Sequence, residues 1–323
     1  MSAAVTPELI LKELAELWTG HGKTDDSGTL RACAMTLLIA ADEEEEASVL
    51  DEMVMEVMHA HPSRAIVLRI RDGADPELDS RVTALCWRPF GRRQQICCEQ
   101  VQLRSSEGGL VELPRIVLSL IAPDLPVVLL CRSMHLFALP GFDPLLRMAD
   151  KIVVDSRRAA RAVNAMELIA RQREQGHVID DLGWTAITSW REAIASAFDE
   201  PATLAALPRI QHIRIAHGKG KPGVEAFYLG AWLLHGTGMQ AGVEFTTGAS
   251  SLPLESVELE GEGVRLSFTH SDGVMQYRAE GIACNLSFAV ESDWELVREE
   301  LGIQGHDATF ESVLPGAIAL AGG

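Results

Sequence analysis

The chain has 323 residues, 47% of them hydrophobic, and a formal net charge of −18. That apolar fraction is enough to bury a substantial core and excludes whole-chain disorder, while the charge sets the molecule as a whole against nucleic-acid phosphates. No run of about 18 apolar residues is present to cross a membrane. No basic stretch leads into an apolar core at the N-terminus, so no signal peptide is expected, and the expected compartment is the cytoplasm.

In chain order, Pro7 to Trp18 reads as a short amphipathic helix, and His21 to Thr29 as a polar, glycine-containing loop. Ala32 to Ala41 is an apolar run of strand length. The acids Asp42 to Glu46 follow it and suit the first turn of a helix, where the dipole is positive. Leu50, Met53, Val54, Val57 and Met58 then recur at helical spacing, and Ala65 to Ile70 reads as the next strand. Strand–helix–strand in this order implies a βαβ unit with parallel neighbours. Val82 to Trp87 and Gln95 to Leu103 are strand-like, with Gly91-Arg92-Arg93 as their turn.

Pro114 opens a helix, and Val127 to Cys131 reads as a central strand. Asp143 and Pro144 read as an N-cap and first helical residue. Ile152 to Val154 is a buried strand, after which Ser156 is expected to cap a long helix from Arg157 to Glu174. Beyond Gly176 the pattern changes. Ser189 and Glu192 have capping-box spacing. Ile210 to Ile215 is strand-like, and Val224 to Trp232 repeats as a helix. Ser256 to Phe268, Val274 to Arg278 and Ile282 to Val290 alternate with period two, as in a half-buried antiparallel meander. Trp294 to Leu301 reads as a final helix, with a fraying glycine-ended tail.

The fold expected from these elements is α/β. An open, mostly parallel sheet forms an N-terminal domain (1–160), and an α+β C-terminal domain (161–323) contains the antiparallel meander.

Charge is unevenly spread. Residues 1–63 carry 13 acidic and 3 basic side chains, and residues 240–323 carry 14 and 3, whereas the stretch between carries 19 and 22. Arginine dominates that basic middle, and its planar fork suits carboxylates and phosphates. The six cysteines have neither Cys-x-x-Cys nor zinc-type spacing and are expected to be reduced and mostly buried. Adjacent Cys97 and Cys98 are the pair to watch for redox sensitivity, although on a strand they point to opposite faces.

Active-site grammar is missing. No Gly-x-Gly-x-x-Gly follows the first strand, and no Gly-x-Ser-x-Gly elbow exists. Gly218-Lys219-Gly220-Lys221-Pro222-Gly223 lacks the closing Lys-Ser/Thr of a phosphate loop and reads as a flexible loop. No metal site and no resident cofactor are expected. Asp155-Ser156 ends a strand and begins a helix, so Ser156, Arg157 and Arg158 form a candidate anion site.

Six segments together resemble the glucose-6-phosphate dehydrogenase assembly protein (OpcA) family: His61-Pro62-Ser63-Arg64-Ala65-Ile66-Val67; Cys98-Glu99-Gln100-Val101; Pro123-Asp124-Leu125-Pro126-Val127; Ala149-Asp150-Lys151-Ile152-Val153-Val154-Asp155-Ser156; Asp181-Leu182-Gly183-Trp184-Thr185 with Thr188-Ser189-Trp190-Arg191-Glu192 and Phe198-Asp199; and Leu229-Gly230-Ala231-Trp232-Leu233. The resemblance implies a non-catalytic accessory protein of the oxidative pentose phosphate pathway. Such a protein binds glucose-6-phosphate dehydrogenase and promotes its assembly or allosteric activation. Arg64, Glu99, Arg191, Trp184 and Trp190 are then the candidate partner contacts, and a sugar phosphate is a candidate effector. The alternative is an α/β protein or enzyme that binds a sugar phosphate or nucleotide at the carboxyl ends of its strands. No nucleic-acid or membrane partner is expected.

Overall fold

The computed structural model describes residues 5–21, 29–89, 94–238, 240–271, 273–280, 282–303 and 305–323. The turn expected at Gly91-Arg92-Arg93 lies outside the described residues, as does most of the loop expected from His21 to Thr29.

Two compact units are formed. Unit 1 holds Met1–Asp155, Gln175–Ile179 and Asp293–Gly305, and unit 2 holds Ser156–Glu174, Asp180–Ser292 and His306–Gly323. In chain order, unit 1 begins with α1 (Pro7–His21), β1 (Thr29–Arg31), β2 (Met35–Asp42), α2 (Ala47–Ala60), β3 (Ser63–Arg71), β4 (Leu78–Trp87) and β5 (Gln95–Ser106). It continues with α3 (Leu113–Leu120), β6 (Val127–Cys131), α4 (Met134–Ala138), α5 (Asp143–Leu146) and β7 (Lys151–Val154). Then come α6 (Ala162–Glu174) in unit 2 and β8 (Ile179–Asp181), the strand in which the chain passes back to unit 2. The rest of unit 2 runs through α7 (Leu182–Thr185), α8 (Thr188–Ala197), α9 (Pro201–Ala206), β9 (Ile210–His217), α10 (Val224–Thr237), β10 (Gly242–Thr247), β11 (Ser256–Gly261), β12 (Val264–Ser271), β13 (Val274–Ala279) and β14 (Ile282–Ser287). Of the last two helices, α11 (Asp293–Gly302) belongs to unit 1 and α12 (Ala308–Gly322) to unit 2.

The sheet of unit 1 has the order β1-β5-β3-β2-β6-β7-β8, with β4 paired to β5. β2, β3, β5, β6 and β7 run parallel, and β4 runs antiparallel. Seven of the eight residues of β2 are buried, and so are all of β6 and β7. Unbroken apolar runs such as Leu37-Leu38-Ile39-Ala40-Ala41 suit strands covered on both faces. The stripe Leu50, Met53, Val54, Val57 and Met58 is the buried face of α2, as its spacing required. From β2 the chain winds outward to β3 on one side and to β6 on the other, so the order reverses between β2 and β6.

Unit 2 carries a six-stranded sheet, β10-β9-β11-β12-β13-β14. β11 to β14 form the expected antiparallel meander, but β14 ends at Ser287 and is exposed at every residue rather than half-buried, because as the edge strand it has nothing packed over it; β9 pairs parallel with β10 and antiparallel with β11. Alternate residues Val257, Leu259, Leu266, Phe268, Met275 and Tyr277 are buried, as a sheet with one covered face demands. α10 is buried nearly all round and packs against α12, which packs in turn on α6.

Several local expectations are corrected. Asp42 to Glu46 do not form the first turn of α2; Asp42 ends β2, Glu46 is the N-cap and the acids between them form a turn. Asp143 is the first residue of α5, not its cap. The long helix begins at Ala162 rather than Arg157, and Ser156 to Arg158 form a separate single turn. Ser189 sits inside α8, whose N-cap is Ile187. The tail does not fray. Asp307 caps α12 through the N–H groups of Thr309 and Phe310, and Phe310, Val313, Leu314 and Ala317 are buried. Each large apolar side chain so buried contributes about 1.5–3 kcal/mol, enough to hold the terminus down.

The cysteines are corrected too. Cys86 and Cys97 face one another across β4 and β5 with Cα atoms 4.1 Å apart and form a disulfide. Cys98 points to the other face, as alternation required, and donates to the Ala32 carbonyl at 3.3 Å.

Candidate functional site

In an open parallel sheet, ligands are received where the strand order reverses, at the carboxyl ends of the strands. Here that place lies between the end of β2 at Asp42 and the end of β6 at Cys131. A dinucleotide's pyrophosphate needs hydrogen-bond donors there, but this chain supplies carboxylates from Asp42 to Glu46. They are held by arginines on the neighbouring strands. Arg69 of β3 donates to the backbone carbonyls of Glu43 and Glu45, both at 2.6 Å, and pairs with the Glu43 carboxylate at 3.3 Å. Arg132, just past β6, has a side chain with no exposed surface. It pairs with Glu45 at 2.7 Å and with Asp293, at the start of α11, at 2.8 Å. It also lies 3.2 Å from the Met53 sulfur of α2. Burial alone would lower the Arg132 pKa, but its two carboxylate partners hold it above the usual arginine range. Burial pushes the neighbouring Asp42 carboxyl upward, opposed by a hydrogen bond from Ser133. Ion pairs internal to the chain thus stand at this end of the sheet.

Close to it, Asp72, Glu107 and His135 each place one ligand-type atom within 4.8 Å of the others. His135 and Glu107 already satisfy one another at 2.6 Å. That hydrogen bond raises the His135 pKa, with further help from the charges of Glu107, Asp72 and Asp42.

Of the expected partner contacts in unit 1, Arg64 and Glu99 come together. The Glu99 carboxylate, 4% exposed, receives Arg64 at 2.7 Å, Arg31 at 2.6 Å and the Trp18 ring N–H at 2.5 Å. Arg64 also donates to the Leu120 carbonyl at 2.7 Å. This node ties α1, β1, β3 and β5 to one another. Both side chains are engaged inside the unit.

In unit 2, Trp184 and Arg191 meet, with the guanidinium 3.8 Å above the ring centroid. Trp184 is buried against Tyr228 and Phe310, and its ring N–H donates to Asp307 at 2.8 Å. Trp190 lies elsewhere, packed on Phe288 and His270. Of the anion candidates, Ser156 and Arg157 line one cleft and Arg158 does not. The Ser156 hydroxyl donates to Asp181, Arg157 is half-buried, and Arg158 is exposed. Asp181 is fully buried and also accepts from the N–H groups of Ser156 and Gly183 at 3.1 and 3.0 Å and from the Tyr228 hydroxyl at 2.7 Å. Burial pushes its carboxyl up, and these donors pull it back. Burial and the Asp181 charge together push Tyr228 well above its ordinary range.

Residues 54–171 match a family domain described as glucose-6-phosphate dehydrogenase subunit N-terminal domain, and residues 177–314 match its C-terminal counterpart. A protein named OxPP cycle protein OpcA from Synechocystis sp. is 29% identical over 174 residues, covering 53% of this chain and 36% of that protein. Its namesake from Synechococcus elongatus is 27% identical over 218 residues, covering 64% and 46%. The chain thus spans less than half the length of these relatives. Among solved structures, a 3-ketoreductase from Actinomadura kijaniata, in an open conformation with NADP and TDP-benzene, aligns over 89% of this chain and 95% of its own, with a TM-score of 0.50 and 11% identity. That likeness is one of fold.

Proposed function

The chain belongs to the OpcA family of glucose-6-phosphate dehydrogenase assembly proteins, and from that premise we propose that it is an accessory protein that binds glucose-6-phosphate dehydrogenase and raises its activity. The observation that carries the reading is the pair of family domains matched in order across both units. Its action is thermodynamic. It prefers one conformational or oligomeric state of the dehydrogenase, and only that difference in affinity shifts the enzyme. The step served is the entrance to the oxidative pentose phosphate pathway, in the cytoplasm.

A non-catalytic role is supported by the crevice between β2 and β6. The fold likeness would favour a dinucleotide enzyme, but Glu43 and Glu45 stand where phosphate donors would be needed, and Arg69 and Arg132 hold them there. The buried aromatic and ionic nodes around Glu99 and Trp184 keep the candidate contact segments in fixed shape. Their neighbouring surface, rather than the buried groups themselves, is the part offered to the partner.

The test mixes the purified chain with the dehydrogenase of the same organism. Sedimentation is expected to show a complex, and the dehydrogenase is expected to respond to lower substrate concentrations, while the chain alone reduces no cofactor. Absence of both complex and kinetic change overturns the proposal.

A further inference from the structure

We infer that unit 2 carries a binding cleft for a small phosphorylated metabolite, built by Arg157, Arg161 and Lys221. The inference rests on unit 2 alone and does not require the dehydrogenase reading.

The cleft has a volume of about 570 Å³ and is lined from three distant stretches of chain: residues 156–163, residues 221–227 and Ala321. Three of its lining side chains are cationic, and among the described residues that line it none is acidic. In a chain of net charge −18, such a concave surface of one sign focuses its field on an anion.

Two helices begin at this cleft. Arg161 and Ala162 open α6, where the Arg161 carbonyl accepts the Ala165 N–H at 3.3 Å. Gly223 is the N-cap of α10, and no side chain caps that terminus. Helix N-termini present N–H groups and a positive dipole end to anions. One carboxylate works against this. Glu225, in the first turn of α10, lies close to Gly223. It is 94% buried and is not part of the lining, whereas the exposed Arg161 and Lys221 are.

The remaining wall identifies the rest of the ligand. Val224, Phe227 and Ala321 give the cleft an apolar side, and Phe227 is fixed edge-on against Phe245 at 4.9 Å. The volume falls within the range of about 300–1,000 Å³ of small-molecule sites. A phosphate monoester on a compact body fits both parts, with its phosphate between Arg161, Lys221 and the helix starts and its body along Phe227. A phosphorylated sugar is the compact, hydroxylated member of that class. The loop Gly218 to Gly223 thus meets the Ser156–Arg157 turn, and Arg161 and Lys221, rather than Arg158, join Arg157 on the lining.

The test is calorimetric titration of the full chain, without dehydrogenase, at constant ionic strength. The probes are inorganic phosphate, glucose 6-phosphate and ribose 5-phosphate, with glucose as the uncharged comparator. Saturable binding of at least one sugar phosphate and none of glucose is expected. Arg161→Gln with Lys221→Gln is expected to weaken that binding by about tenfold or more, the loss expected when charge-assisted contacts are removed. Both side chains are exposed, and the doubly substituted chain is expected to keep its thermal midpoint, which shows that any loss is not unfolding. No saturable binding of any phosphate at millimolar concentration overturns the inference. So does binding that the two substitutions leave unchanged, or an effect of the substitutions confined to complex formation with the dehydrogenase.

Discussion

Replacing Arg132 by methionine tests whether the acidic turn after β2 is held by its ion pairs. Methionine keeps much of the side-chain length but leaves Glu45, 9% exposed, and Asp293, 32% exposed, without their cation. Removing one partner of a buried pair costs about 3–5 kcal/mol, because the other charge stays buried and unpaired. Asp293 reaches water and relaxes at little cost, so the lower end, about 3 kcal/mol, is expected. For a unit of this size that lowers the midpoint of thermal unfolding by about 6–12 °C. Adding Glu45→Gln to Arg132→Met removes the stranded charge, and the double variant is expected to recover a coupling energy of about 1–2 kcal/mol. Urea unfolding of the four proteins of this cycle, followed by far-UV circular dichroism, measures the coupling. A single-variant cost below about 0.5 kcal/mol, or strict additivity in the cycle, refutes the idea that these charges depend on one another.

Three further outcomes are expected. Protein purified without reductant, then denatured and alkylated, should show modification at Cys33, Cys98, Cys131 and Cys284 only, and six modified cysteines would disprove the Cys86–Cys97 pairing. In the native state at neutral pH, exposed Cys284 should react first, since burial pushes Cys98 up to about 11 and Cys131 up to about 12. His135, raised by its bond to Glu107, should titrate above the value of about 6.5 of an ordinary histidine in an NMR titration, and Glu107→Gln should bring it back down. Because its pKa is higher in the folded state, its contribution to stability is complete below the unfolded pKa and is lost as pH rises through the folded one. A stability gain from His135 that grows with pH across that window would contradict the assignment.

What could be read in the sequence depended on how local the determining physics was. β2, β6 and β7 were legible because strands covered on both faces are apolar throughout, and β11 to β13 because one covered face imposes alternation. Caps were misread where a distant partner outcompeted the local one. Ser156 gives its hydroxyl to Asp181 rather than to a helix N–H, and no spacing rule links those two positions. The Cys86–Cys97 bond depends on the register of β4 against β5, which cysteine spacing alone does not encode. Arg64 and Glu99 were chosen from the resemblance, yet their mutual engagement spans 35 positions and appears only once β3 lies beside β5. The cleft of unit 2 escaped for the same reason, since Arg161, Lys221 and Ala321 share a wall only after α6, α10 and α12 have packed. The Gly-ended tail suggested fraying by composition, and the buried Phe310 decided otherwise.

The acidic turn after β2 has a consequence for the company this protein keeps. With Glu43 and Glu45 pinned by Arg69 and Arg132, the strand ends where this architecture receives phosphates carry fixed negative charge, so an approaching phosphate meets repulsion there instead of donors.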